Sequence, residues 1–565
     1  MHEITTGTVS ATVVIPDIEN GAGQFPAAQS QQRETDQPVP PATTRELDTE
    51  PLARAVVHYL RGEGSESLRI LLAAAEQCKT PDLLAALGYV QTELGQHGAA
   101  AETYGELTQQ SPAVAEAWFQ WGFNLYKLGR TAEALERFDK AASLRSDWIE
   151  TPLARSICHL KLKQYTEAFE HVDECLAMDP SYKAALFSKA VIFHIQWEFD
   201  QAFALYRQII EEQDPNCIEA LMNLITLGLQ QKKYEVVRKY SEQLIALQPG
   251  AVLAVEGIGI AAFNEGDFHG AWQQYSRLVE LAPDQVAHWL NLGVACERRG
   301  MLPDAVRAFI KACQMRPDSI HARSYLGGAL WKSGELARAR ISYEEAVVRW
   351  PEREDFTLSL AQILEALGNL EAGEKVCRAF CGRDSEKRQV WFRLGYLQFK
   401  RGRWDDAISS YERALSLKAD WPDAEVDLAL ALYKAEQYER SEAVLLRLLE
   451  REPEHMECLR GLATVTLAVG RHEEALALHQ KLLELGEPDA EIFYNCGVLS
   501  HNLNNAKQAV DYYRQALDLQ PDFPEALLNL GHALSDSGSR EDATASWISA
   551  VELKPEFARG FFRRT

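Results

Sequence analysis

The sequence predicts an all-α protein built as a solenoid of short helix pairs. One residue spacing returns from Pro81 to Phe557, in fourteen units that are all 34 residues long except residues 183–217, which number 35. Small residues recur at two positions of the unit, where closely packed helices would cross. Proline recurs at its end, where it stops a helix. A chain of 565 residues is too long for one ordinary core, and an array that grows by repetition removes that limit.

Each element of the unit has a physical reason. A helix of about twelve residues is marginal alone, so it must bury an apolar stripe against its neighbours. The first crossing position is Gly, Ala or Ser in thirteen units and Ile225 in the other, and the second is Ala in eleven. Large and aromatic residues fill the space between successive pairs. The unit of residues 286–319 carries the full pattern: Trp289, Leu292, Gly293, Gly300, Ala305, Phe309, Ala312 and Pro317.

This spacing resembles the tetratricopeptide repeat (TPR), over about five-sixths of the chain. The resemblance implies a right-handed superhelix in which the first helix of each pair lines a concave groove. It further implies that the groove binds a peptide or a protein partner. The long array is similar to the TPR arm of O-GlcNAc transferase, but no glycosyltransferase domain follows it, so catalysis is not carried over.

The segments flanking the array differ from it in composition. Residues 1–46 contain five prolines, five glutamines and no Trp or Tyr, so we expect a disordered tail. Within it, Val9–Ile18 (VSATVVIPDI) is apolar. This segment is either a nonspecific apolar patch of the tail or a short strand that docks on a partner. Residues 47–80 carry an apolar pattern split by glycines, which predicts a degenerate helical cap. Residues 558–565 form a C-terminal tail.

One unit departs from the pattern and suggests a hinge. In residues 354–387, Gly373 replaces the usual crossing Ala, Cys377 replaces the aromatic residue, and Ser385 stands where Pro closes other units. Glycine inside a helix costs roughly 1 kcal/mol relative to alanine. The sequence therefore divides the array into a first block, residues 81–353, and a second, residues 388–557. The alternative is that Phe380 and its neighbours repack the same junction.

No constellation in the sequence supports catalysis, a cofactor or a metal. The string GIGIAA resembles a dinucleotide-binding turn, but Gly259 is the small crossing residue of a helix. Cys377 and Cys381 lie four residues apart without a second ligand pair at zinc spacing. We therefore predict a protein that is not an enzyme, without catalytic, cofactor-binding or metal-binding residues.

Charge and hydropathy limit the partners. The formal net charge is −24, which repels phosphate backbones and anionic lipids, so nucleic acid is not expected as a partner. No stretch approaches the roughly 18 apolar residues of a membrane helix, and the first 30 residues lack the pattern of a secretory signal. These observations favour a cytoplasmic location without membrane insertion. They leave the oligomeric state open.

Two sets of residues are candidates for partner binding. One occupies the position of the asparagine ladder that grips peptide backbones in the O-GlcNAc transferase arm, where an amide can donate and accept together. It comprises Asn223, Asn291, Asn495 and Asn529. The other combines aromatic and basic residues, the usual energetic centre of an interface, although some of these rings could instead complete packing within the array. It comprises Tyr325, Trp331, Phe392, Arg393, Tyr396, Phe399 and Tyr433.

The sequence thus favours a non-enzymatic scaffold or adaptor that holds a peptide or protein partner in the concave groove. The alternative is a substrate-positioning or assembly subunit of a larger enzyme or secretion complex. A third class, RNA-binding helical repeats of similar length, is opposed by the acidity and by the positions of Trp, Leu-Gly and Pro.

Overall fold

The all-α prediction is confirmed by the structure, a computed structural model that describes residues 50–486 and 489–558. These residues contain thirty α-helices and no strand. The chain divides into two compact units, the first ending at Pro317 and the second beginning at Asp318. The predicted tail, including Val9–Ile18, lies outside the described residues, as does most of the C-terminal tail.

From residue 50 to Pro317, the described part of the first unit contains sixteen α-helices, α1–α16. Their bounds are α1 Pro51–Leu60, α2 Gly64–Gln77, α3 Pro81–Glu93, α4 His97–Gln110, α5 Ala115–Lys127, α6 Thr131–Leu144, α7 Glu150–Lys161, α8 Tyr165–Met178, α9 Lys183–Ile195, α10 Phe199–Gln208, α11 Ile218–Gln230, α12 Tyr234–Leu247, α13 Val252–Asn264, α14 Phe268–Leu281, α15 Val286–Arg298 and α16 Leu302–Met315.

The described residues of the second unit contain fourteen further α-helices, α17–α30. A 3-10 turn, Pro555–Phe557, follows the last of them. The helix bounds are α17 Ile320–Lys332, α18 Leu336–Arg349, α19 Glu354–Ala366, α20 Leu370–Cys381, α21 Arg388–Lys400, α22 Trp404–Leu417, α23 Pro422–Lys434, α24 Tyr438–Arg451, α25 Met456–Ala468, α26 His472–Glu484, α27 Ala490–Asn502, α28 Ala506–Leu519, α29 Pro524–Asp536 and α30 Arg540–Leu553.

Every predicted unit corresponds to one helix pair, from α3 and α4 to α29 and α30. The pair α1 and α2 occupies the predicted cap, and its buried Leu68 and Leu71 cluster with Leu83 and Leu87 of α3. The turn inside a pair requires a left-handed residue, as at Gly300 with φ of +76°. Trp197 occupies this position in the turn between α9 and α10, with φ of +67°, and it is 78% exposed.

The crossing positions carry small residues because an aromatic ring packs directly against the backbone there. A Cβ atom added to Gly293 would overlap the ring of Phe309, which is fully buried. At Gly122 the ring of Phe138 is so close that an added Cβ would lie 2.9 Å from it. The two recurrent positions of the sequence pattern, small and aromatic, are therefore the two halves of one contact.

The 35-residue unit accommodates its extra residue inside a helix. At its carboxyl end α10 widens into a π-helical turn, Ile209–Gln213, in which Ile209 and Ile210 remain buried. A π-turn adds one residue without changing which side chains face the core. The spacing of 34 residues then resumes, with α11 beginning at Ile218 and α13 at Val252.

The predicted hinge at residues 354–387 lies inside the second unit. Cys377, Phe380 and Cys381 are buried and pack with Val390 and Leu394 of α21. The structure thus shows a packed junction in this repeat, and the motion proposed for it stays a prediction.

Candidate functional site

In the second unit, two of the predicted residues contact one carboxylate. The guanidinium of Arg393 pairs with Glu365 of α19 at 2.5 Å, and the hydroxyl of Tyr396 donates to the same carboxylate at 3.0 Å. The Arg393 guanidinium also lies 5.0 Å from the centre of the Tyr396 ring. Contacts of this kind hold side chains in one rotamer, so this part of α21 presents a preorganised polar surface.

Other predicted aromatic residues pack against rings within the array. Phe392 lies between Tyr411 and Trp421, with ring centres 5.6 and 4.7 Å away, and Phe399 packs on Trp404. Tyr325 is buried, and Trp331 of α17 is half-buried. The structure therefore gives Phe392 and Phe399 a packing role, which was the alternative expectation. Their part in partner binding stays a prediction.

Tyr433 lines a cavity that the sequence alone does not reveal. The cavity has a volume of about 270 Å³ and lies between α23 and α25, with α24 behind it. Val426 and Leu445 form apolar walls, and Gly461 lies beside Leu445. An added Cβ on Gly461 would stand 3.4 Å from Leu445, so the missing side chain leaves the space open.

Charged groups rim this cavity. Glu457 and Arg460, both exposed, belong to its lining. Nearby, burial and, to a smaller extent, the negative charges of Asp423 and Glu457 raise the pKa of Asp427 to about 6. A positively charged group beside Asp427 would stabilise the ionised carboxylate and lower its pKa towards the ordinary value. The surface beside the cavity therefore favours a partner group with positive charge.

The four asparagines differ in exposure. Asn223 and Asn291 are fully buried, and the amide of Asn223 donates to the hydroxyl of Tyr206 at 3.2 Å. Asn495 and Asn529 are half-buried, and the Asn529 amide donates to the hydroxyl of Tyr494 at 3.0 Å. For Asn223 and Asn291 the structure differs from the expectation of accessible groove residues, because both side chains are buried, that of Asn223 against Tyr206 of the preceding repeat.

Sequence reasoning missed Gly461, Glu457, Arg460 and Thr464 as members of a site. One signal was present, because Gly461 occupies the position that carries Asn in other repeats. A glycine there removes a side chain from the surface and adds no group of its own. Only the coordinates show that the space is bounded on three sides.

Family comparisons agree with the repeat pattern. The description "Tetratricopeptide repeat" matches residues 115–148, 153–217, 256–320, 325–387 and 398–464, and "TPR repeat" matches residues 501–538. Together these segments cover more than half of the chain. The chain belongs to the tetratricopeptide repeat superfamily. Repeats of this superfamily are protein-interaction modules, so an interaction scaffold is the general role of this TPR protein.

Two curated relatives share part of the array. BBSome complex member BBS4 of Bos taurus is 26% identical over 166 residues, which is 29% of this chain and 31% of the relative. Photosystem I assembly protein Ycf3 of Cyanophora paradoxa is 32% identical over 131 residues, which is 20% of this chain and 76% of the relative. The match thus spans about a third of the length of BBS4 and about three quarters of Ycf3.

Among solved structures, the APC/C hetero-tetramer Cut9–Hcn1 contains a chain that is 16% identical, with a TM-score of 0.32. The alignment covers 86% of this TPR protein and 95% of that chain. Over residues 50–486 and 489–558, no helix is both long and apolar enough to cross a bilayer. In the same residues no group of three or more His, Cys, Asp or Glu side chains could hold a metal ion.

Proposed function

We propose that this TPR protein is a non-enzymatic scaffold or adaptor that holds a segment of a protein partner against helices α21, α23 and α25. The observation that carries the proposal is the cavity beside Tyr433, because a pocket with an aromatic wall suits one apolar side chain of a bound peptide. The polar surface of Arg393 and Tyr396 supports it, since these side chains are already ordered. In this proposal the partner segment places an apolar residue in the cavity and a Lys or Arg beside Asp427.

Filling the cavity tests the proposal. Gly461→Leu should occupy it, and the added Cβ meets only the flexible end of Leu445 at ordinary contact distance. Replacing glycine inside a helix also favours the helix. We expect the variant to fold normally and to bind the partner at least about tenfold more weakly, because a filled pocket loses a hot-spot contact.

The measurement is quantitative affinity purification from the native cell, followed by titration of the recovered partner. Tyr433→Ala should weaken binding in the same way, and Thr544→Leu, on the exposed face of α30, is the matched control. Partner capture that is unchanged in both cavity variants would place the binding surface elsewhere.

A second candidate function follows from the relatives. BBS4 is a member of the BBSome complex and Ycf3 is a photosystem I assembly protein, so both act within assemblies. This TPR protein would then be an assembly or substrate-positioning subunit of a larger complex. Size-exclusion chromatography of native extract separates the two functions. A subunit elutes in one large, stoichiometric complex, whereas an adaptor elutes in a distribution that depends on partner concentration.

A further inference from the structure

The first unit contains an apolar cavity at its amino-terminal end. It has a volume of about 460 Å³ and is bounded by α1, α3 and the beginning of α5. Leu71 and Val90 lie at its base and are buried. This volume is in the range of clefts that bind small molecules or several side chains of a peptide.

The rim of the cavity is apolar and exposed. Val56 is 45% exposed, Leu60 76%, Tyr89 37% and Val114 40%. Single exposed apolar residues are common on protein surfaces, but four around one cavity make a continuous patch, which is typical of an interaction site. The patch is therefore a candidate docking surface.

Polar groups in the lining suit an extended peptide. The hydroxyl of Tyr59 lies 3.4 Å from that of Tyr89, and Gln120 of α5 also belongs to the lining. An extended segment buries its backbone N–H and C=O groups and needs donors and acceptors for them. A glutamine amide supplies both, and a tyrosine hydroxyl can donate or accept.

We propose that the occupant is the chain's own segment Val9–Ile18. This segment is the apolar stretch of the 49 residues that precede Glu50, which otherwise are rich in Pro, Gln, Thr and charged residues. Those residues join the array at Pro51, the first residue of α1, one turn before Ala55 and Val56 in the wall of the cavity. Among possible occupants with apolar side chains, this segment belongs to the same chain and is tethered next to the cavity.

The connection is long enough for the segment to return to the cavity. Thirty-one residues, 19–49, separate Ile18 from Glu50. A coil of that length has a root-mean-square end-to-end distance of about 30 Å and reaches about 100 Å when extended. Tethering of this kind gives an effective concentration on the order of 1 mM. A segment with a dissociation constant of about 10 µM in free form would then fill the cavity about 99% of the time.

Docking of this segment has a functional consequence. The first helices of three successive pairs, α1, α3 and α5, contribute to the cavity, so the docked segment lies across all three. A partner that binds there must displace it, which lowers the partner's apparent affinity by the fraction of free cavities. The inference is independent of the site proposed in the second unit.

The test uses the full chain and a labelled synthetic peptide of residues 7–20 as the probe. In one variant, Val13→Asp, Val14→Asp and Ile15→Asp remove the apolar character of the tethered segment. We expect the wild-type chain to bind the probe about 100-fold more weakly than this variant, because only the variant leaves the cavity empty. Fluorescence anisotropy gives both dissociation constants.

Cavity variants in the same tail-variant background locate the binding. Ala85→Trp, at an exposed position of the lining, and Val56→Glu should each abolish probe binding, whereas Glu102→Trp on the exposed face of α4 should not. Circular dichroism checks that the variants keep their helices.

Three outcomes overturn the proposal. The first is equal probe affinity of the wild-type chain and the tail variant. The second is probe binding that persists in both cavity variants, which would put the peptide elsewhere. The third is absence of probe binding together with a dimer that Val56→Glu dissociates in light scattering, which would identify a second copy as the occupant.

Discussion

The repeats of residues 286–319 and 354–387 solve the same packing problem in different ways. In the first, Phe309 of α16 lies on Gly293 of α15, so a ring fills the space that a glycine opens. In the second, the corresponding ring position is Cys377, and the large residue is Phe380, one turn later. The large side chain is thus placed one turn further along the second helix of the pair. The junction stays packed although the repeat departs from the pattern.

The second repeat also contains an ionic cluster. Glu374 of α20 is only 1% exposed and accepts from Arg403 at 2.7 Å, and from Arg378 and Arg401. Burial alone would raise the pKa of Glu374, but the hydrogen bond from Arg401 and the positive charges of Arg378 and Arg403 lower it. Arg401 and Arg403 lie between α21 and α22, so the cluster links α20 to the following repeat.

The largest expected effect comes from Glu374→Gln. Removing the charge leaves three guanidinium groups around a neutral amide, and breaking a buried ion pair by removing one partner is strongly destabilising. Because the arginines can regain water, we expect a loss of about 2 kcal/mol in the free energy of unfolding, measured by urea denaturation. Glu371→Gln, whose carboxylate is 79% exposed, is the control. A loss below about 0.5 kcal/mol would show that the cluster contributes little.

The second effect compares glycine substitutions in the two repeats. Gly293→Ala places a methyl group into the Phe309 ring, and overpacking of this kind costs about 1–3 kcal/mol. Gly373→Ala meets Leu397 at 3.3 Å, a flexible side chain that can move, and gains up to about 1 kcal/mol of helix propensity. We therefore expect a lower melting temperature for the first variant and an unchanged or higher one for the second. The same sign in both would remove the distinction between the repeats.

The third effect is a pH dependence of the Glu374 cluster. The pKa of this carboxyl is lowered in the folded chain, so its stabilisation is complete above its unfolded pKa of 4.5 and is lost as pH falls through the folded pKa. The difference in unfolding free energy between wild type and Glu374→Gln should therefore be constant from pH 8 to about pH 5 and shrink at lower pH. Urea titrations at pH 7 and pH 3.5 measure this difference. A constant difference at both values would contradict the assignment to the ionised carboxylate.

The smallest effect concerns the hinge predicted in residues 354–387. The hinge predicts faster hydrogen exchange for amides of residues 365–387 than for those of 297–319. The buried Phe380 and the Glu374 cluster favour the alternative, a junction as well protected as its neighbours. In Glu374→Gln we expect exchange of residues 365–387 to accelerate, and mass spectrometry of both proteins distinguishes an intrinsic hinge from a junction held by charge.

The fold could be predicted from the sequence because the residues that contact each other within a repeat lie close together in the chain. Gly293 and Phe309 lie sixteen residues apart in the chain, and the same distance recurs in most units, so periodicity reveals the pair. The cavities were not accessible, since Gly461 shows a missing side chain but not the walls around the space. Whether Phe392 faces a partner or Trp421 depends on how the last residue of its repeat packs back on the first helix, which a pattern of single positions does not contain.

The π-helical turn Ile209–Gln213 bears on how such an array changes during evolution. A single inserted codon in a helical repeat shifts every later side chain by about 100°, unless the extra residue is absorbed locally. Here the insertion is absorbed within one turn, and the twenty helices that follow keep their register over the described residues. An extra residue at the end of a helix is thus compatible with the regular array that follows it.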